Sequence, residues 1–381
     1  MTRRTAPVLQ AAALALAAAL AGCAGPRGAG PQQAAQPLCL QHLGGTTLAR
    51  EPQGMLQHFG GISGLDRDAA TGTWYLLSDD RSARAPARFY TAAIDIDASG
   101  LHAVRVTGVV PLRQADGSVY PGAGQGGEVP DPEALRIDPR TGDLVWASEG
   151  DGRLGHGPFV RRAARDGRFV AEVPLPQNLR LHKGAGPGAR DNLTIEGLAF
   201  APDAASLWVS MEGPLVEDGP MPTLQQGGFA RFTRLDREGR VLGQYAYPLD
   251  PIPLPPGGGR QRADNGVSDI LATEAGTLLV VERSGREVDE GVFQFAVRLY
   301  EASVADATDV SGTASLQAAT FKPLRKRLVL DLAKAGIETD NIEAMAWGPR
   351  LPDGRATLLL AADDNFHPRQ ANRFIALQGC K

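Results

Sequence analysis

The feature that most constrains the fold is an internal repeat built around an acid inside an apolar run. In "DNIEAMAWGP", residues 340–349, Glu343 interrupts a stretch that otherwise reads as a buried strand. The same frame recurs in "DPEALRI" at Glu133, "TIEGLAF" at Glu196, "GVSDILA" at Asp269 and, more loosely, "GGISGLD" at Ser63. The intervals between these five anchors are 70, 63, 73 and 74 residues. A period this regular predicts repeated supersecondary units. After each anchor come a turn and a second short apolar strand that also ends in acid: Asp79 and Asp80, Glu149, Glu212, Glu282, and Asp363 with Asp364. In the first three units anchor and acid stand 16 residues apart. Further strands, such as "ARFYTAAID", "GFARFTRLD" and "FQFAVRLYE", bring each unit to about four antiparallel strands joined by turns rich in Asp, Pro and Gly.

Four-stranded units repeated along a chain predict an all-β fold, a β-propeller, which leaves few sheet edges open by arranging its blades radially. Five repeats predict five blades; a sixth, drawn from the spacers 111–130 and 303–330, stays open. The last unit is one strand short, and the segment around "LCLQHL" is the candidate to complete it. Composition agrees with this architecture. The chain has 381 residues with 46 Gly and 28 Pro, and 43% hydrophobic content supports a substantial core. A formal net charge of −4 with scattered arginines gives no nucleic-acid footprint.

The N-terminus carries a targeting pattern. Arg3 and Arg4 precede an Ala/Leu run from Ala11 to Ala21, too short for the ~20 residues of a membrane span, and "LAGC" ends at Cys23. Small residues directly before a cysteine resemble the lipobox of bacterial lipoproteins. Residues 1–22 are therefore expected to be a signal peptide, Cys23 the lipidated residue, 23–37 a flexible tether, and 38–381 the propeller domain. A plain secretory peptide is the alternative. Ala24, directly after the cysteine, is not the aspartate associated with inner-membrane retention, so the expected location is the outer membrane, facing the periplasm. The only expected membrane contact is through the lipid. In that oxidising compartment Cys39 and Cys380, near opposite ends of the domain, are expected to pair across the seam; two separate buried thiols are the alternative.

The innermost strand of each propeller blade lines the central channel, so the anchors and the acids after them would converge at one end of it. The candidate ligands are Asp79, Asp80, Glu133, Glu149, Glu196, Glu212, Glu282, Glu343, Asp363 and Asp364. Gathered like charges need compensation, and hard oxygen donors of adaptable geometry suit calcium better than a transition metal. The structural alternative has each glutamate accepting backbone amides or pairing with Arg81, Arg231 or Arg283.

The ordered series "GGISGLD … WYLLSDDR", "DPEALR … VWASEG", "NLTIEGLAF … LWVSMEGPL", "LLVVERSG" and "NIEAMAWGPRLPDGRATLLLAADDNF" resembles the bacterial phytase-like family, described as esterase-like activity of phytase, over roughly residues 40–378. The resemblance implies an exported β-propeller, a phosphoesterase activity on small phosphorylated molecules, and calcium dependence. It departs from an unbroken acid ring at Ser63. Under this reading Glu133, Glu196, Glu212 and Glu343 are the catalytic candidates, with Arg81, Arg283 and Lys183 as donors to phosphate oxygens. A monomer is expected. A non-catalytic binding or scaffolding propeller is the competing reading, since a fold alone does not confer activity. No G-x-S-x-G elbow, H-E-x-x-H or phosphate-binding glycine loop is present.

Overall fold

Each repeat folds into one four-stranded antiparallel sheet, and five such sheets form the ring of a β-propeller. The computed structural model describes residues 37–381 except 52, 182–185, 256, 258–261 and 291. The first strand of the chain, β1 (Leu40–Leu48), belongs to the last blade. Blade one is β2 (Ile62–Arg67), β3 (Trp74–Ser78), β4 (Arg88–Asp97) and β5 (Gly100–Pro111). Blade two is β6 (Pro132–Ile137), β7 (Leu144–Ser148), β8 (Phe159–Ala163) and β9 (Phe169–Val173). Blade three is β10 (Ile195–Phe200), β11 (Ser206–Met211), β12 (Gly228–Asp236) and β13 (Val241–Leu249). Blade four is β14 (Gly266–Ala272), β15 (Leu278–Asp289), β16 (Val292–Ser303) and β17 (Arg325–Asp331). Blade five is β18 (Asn341–Trp347), β19 (Thr357–Asp363) and β20 (Asn372–Gly379), completed by β1.

The two inner strands of each blade read as almost unbroken apolar runs because both of their faces are covered by neighbouring blades. Ile62, Leu65, Trp74 and Leu76 of blade one pack on Ala344, Leu359, Ala361 and Phe374 of blade five. Burying each large apolar side chain contributes about 1.5–3 kcal/mol. Small residues stand where inner strands approach most closely. A Cβ on Gly64 would lie 2.8 Å from the Leu135 amide nitrogen, and one on Gly197 would lie 2.8 Å from that of Ile270.

The ring closes as the strand count suggested. β1 runs antiparallel to β20, from Leu40 opposite Gly379 to Leu48 opposite Asn372. Cys39 and Cys380 are bonded just beyond this pairing, with Cα atoms 5.5 Å apart. The spacers form no sixth blade among the described residues. Within 111–130 there is one isolated bridge, Arg113 to Val119, and the stretch before β17 packs Val310 and Leu316 on Ala246.

Candidate active site

Every innermost strand is broken at the same place. A β-bulge falls at Ser63, Glu133, Glu196, Ser268 and Glu343, each left without a partner while its neighbours pair. A bulge inserts one residue and re-aims its side chain, which is how an acid stands in an apolar run without entering the blade core. In blades two, three and five the bulged residue is a glutamate lining one cavity. In blades one and four it is a serine that bolts the ring: the Ser63 hydroxyl donates to the Pro132 carbonyl at 2.7 Å, and that of Ser268 to the Ile342 carbonyl at 2.9 Å.

Pairing of the second strand completes the ring. Ile62, Pro132, Ile195 and Ile342 oppose Ser78, Ser148, Met211 and Ala362, and the next residues, Asp79, Glu149, Glu212 and Asp363, line the cavity. In blade four Val267 opposes Glu282, so the equivalent residue is Arg283. The blade-four frame read from sequence is therefore one residue late at the anchor and one early at the strand end. Arg283 sits among the acids, 3.0 Å from Glu212 Oε1 and 3.8 Å from Glu343 Oε1, and donates to Asn341 Oδ1 at 3.0 Å.

The cavity, of about 580 Å³, is lined by nine carboxylates: Asp79, Asp131, Glu133, Glu149, Glu196, Glu212, Asp264, Glu343 and Asp363. Asp131, Glu133 and Glu149 bring one oxygen each within 4.8 Å of one another, and Glu149 forms a second such group with Glu196 and Glu212. These buried clusters have the donors and spacing to bind a metal ion. Arg81 belongs to the wall but is committed to Asp131, at 3.2 Å, and to Asp151. Burial, followed by the mutual repulsion of neighbouring acids, holds Asp79, Glu133, Glu149, Glu196 and Asp363 well above the usual carboxylate range. Glu212 is pushed up to about 8 by burial, against the pull of Arg283. Asp131 is raised by burial to about 6, with Arg81 opposing.

Several acids read as ligands do other work. Asp80 accepts the amides of Ala83, Arg84 and Ala85 and pairs with Arg88 at 2.7 Å. Asp364 accepts the Gly61 amide at 3.0 Å and pairs with Arg50 at 3.0 Å. Glu282 is buried between blades, bound by Tyr247, Asn265 and Lys326. Arg231 is fully buried against Asp218. Asp269 turns across the axis, accepting two hydrogen bonds from Arg136 Nη2 at 2.7 and 2.8 Å and one from the Met345 amide at 2.8 Å. Arg136 also donates to the Leu65 carbonyl, so this pair ties together blades one, two, four and five. Lys183 and Cys23 lie outside the described residues.

The cavity also holds residues that the repeat reading passed over. Asp131 and Asn341 each stand two positions before a bulged glutamate, an offset visible in "DPEALR" and "NIEAM". Asp264, Phe293 and Phe295 reach the wall through blade four and carry no repeat signature.

Among solved structures, the chain is similar to a periplasmic gluconolactonase from Pseudomonas aeruginosa (12% identity, 83% of this chain and 85% of that one, TM-score 0.36). It is also similar to an exo-β-1,3-galactanase from Phanerochaete chrysosporium (12% identity, 89% and 64%, TM-score 0.43) and to a mannose phosphorylase from Leishmania mexicana (11% identity, 83% and 82%, TM-score 0.38). Similarity at this level says nothing about the site. No curated protein matches the chain. The phytase-like family, described as esterase-like activity of phytase, matches residues 57–366, which include every bulged strand and all nine carboxylates of the cavity, and the chain belongs to that family.

Proposed function

We propose that this protein is a calcium-dependent hydrolase of small phosphate esters. The observation that carries the reading is the convergence of nine carboxylates and Arg283 in one cavity. Such a set is costly to hold ionised unless a cation compensates it. The donors fit calcium: all are hard oxygens, supplied by buried carboxylates in two overlapping groups of three. Asp79 Oδ1, beside them, is buried with no hydrogen-bond partner among the described residues. Asp131, Glu133, Glu149, Glu196 and Glu212 would hold the ion or ions. A divalent ion, when bound, polarises a phosphoryl oxygen and acidifies water. Arg283 offers a guanidinium to the phosphate oxygens, and Glu343, beside it, is placed to accept or return a proton.

Hydrolysis of 4-nitrophenyl phosphate with calcium and with EDTA tests this reading. Turnover that requires calcium and falls at least about 100-fold in Glu196→Gln supports it. A protein whose melting temperature rises with calcium but which turns over no phosphoester is instead a binding propeller.

We further propose export, with lipid on Cys23 holding the protein at the outer membrane. The "LAGC" motif supports this, and the Cys39–Cys380 bond suits an oxidising compartment. Cys23→Ser should then release soluble protein; unchanged membrane association rejects the anchor.

A further inference from the structure

Blade four differs from the others in how far its middle strands run. Pairing of β14 with β15 ends at Gly266 opposite Arg283, yet the β15–β16 hairpin continues past it at the carboxylate end, with Gly285 opposite Phe295 and Glu287 opposite Phe293. Phe293 and Phe295, two residues apart, share one face of the strand. Their rings stack with centroids 6.4 Å apart and planes inclined by 25°, both are half-buried, and both line the cavity. Arg262 lies over the Phe293 ring at 5.2 Å and pairs with Glu287, which fixes the outer edge of this ledge. A Cβ on Gly285 would stand 3.2 Å from Asp264 Oδ1 and 3.4 Å from the Phe295 ring, so the glycine keeps the step between acid wall and ledge open.

An aromatic ledge beside a wall rich in carboxylates calls for an apolar partner, and a polyol covered in hydroxyl groups is a poor one. Arg283 and Gly285 are two residues apart on one strand, about 7 Å. An ester with its phosphoryl group at Arg283 would therefore put the first ring of its alcohol over Phe295. We propose that Phe293 and Phe295 select the leaving group, and that the substrates are aryl phosphate monoesters. The inference rests on the phosphoesterase reading above.

Calorimetry of the full chain in calcium, with the non-hydrolysable probes phenylphosphonate and methylphosphonate, tests it. The expected result is a roughly tenfold preference for the phenyl probe. That ratio should fall below about twofold in Phe293→Ala/Phe295→Ala. It should fall partway in Phe293→Leu/Phe295→Leu, which keeps apolar volume and so guards against a folding defect. Equal binding of the two probes, or a preference that survives both variants, overturns the ledge while leaving the phosphoesterase reading standing. Binding of neither probe, in protein that calcium still stabilises, overturns both.

Discussion

The Arg136–Asp269 pair provides the sharpest test of how the ring is held. Both residues are buried, at 2% and 1% exposure, and the Asp269 carboxylate accepts two hydrogen bonds from Arg136, one from the Met345 amide and one from the adjacent Ile270 amide. In Asp269→Ala, Arg136 keeps its carbonyl acceptors but loses its counter-charge, and breaking a buried pair from one side costs about 3–5 kcal/mol. The stranded Met345 amide adds about 1–3 kcal/mol, less whatever relaxation recovers. A loss of about 4–6 kcal/mol is expected, a large part of the 5–15 kcal/mol that stabilises a typical domain. Urea unfolding followed by circular dichroism should show the midpoint falling at constant m. Arg136→Met/Asp269→Leu leaves no unpaired charge and should be less damaged than Asp269→Ala alone. A cost below about 1 kcal/mol for Asp269→Ala, or a double variant equal to the sum of the singles, would show that water already solvates this pair and that it does not bind the blades.

Calcium at a hundredfold excess over Kd should stabilise the fold by about 2.7 kcal/mol, read as a higher melting temperature. Glu196→Gln with Glu343→Gln should abolish that response at little cost to the fold, whereas purely structural glutamates would give no response in the parent and a large loss in the variant. In EDTA, stability should fall as pH rises from about 4.5 to about 8. The folded-state pKa of Glu212, about 8, lies above its ordinary 4.5, so the folded form holds its proton more tightly and loses that advantage on ionisation; melting temperatures at pH 5 and pH 8 check the sign. Cys39→Ser/Cys380→Ser opens a loop spanning 341 residues and should cost on the order of 5 kcal/mol by chain entropy, measured against the oxidised parent in urea.

The blade count was legible because each repeat states its strands locally, and the missing strand of blade five could be found by counting. The frame of blade four was not. Ser268 and Asp269 are adjacent, as are Glu282 and Arg283, and matching carboxylate to carboxylate selects the wrong member of each pair. The bulge is set by the register of the β14–β15 hairpin and by the long-range approach of Ser268 to the Ile342 carbonyl of the neighbouring inner strand. The doubled acids were opaque for a related reason. Asp79 and Asp80 look alike in sequence, yet one faces the cavity and the other is consumed by backbone amides and Arg88. Likewise, Phe293 and Phe295 alternate as any half-buried strand does, and only the overrun of the hairpin past β14 brings them to the site.

The pairing of β1 with β20 also governs when the molecule can become whole. The outermost strand of blade five is the first of the domain to be synthesised, and its partner is the last. Throughout elongation β1 can pack on β5 of blade one but has no strand to pair with, and the ring stays an open arc whose exposed inner strands, rich in Leu, Ile and Val, invite pairing with other chains. Two late events, the docking of β20 and the oxidation of Cys39 with Cys380, end that exposure together. A nascent chain stopped short of Asn372 would hold four complete blades and still have no ring.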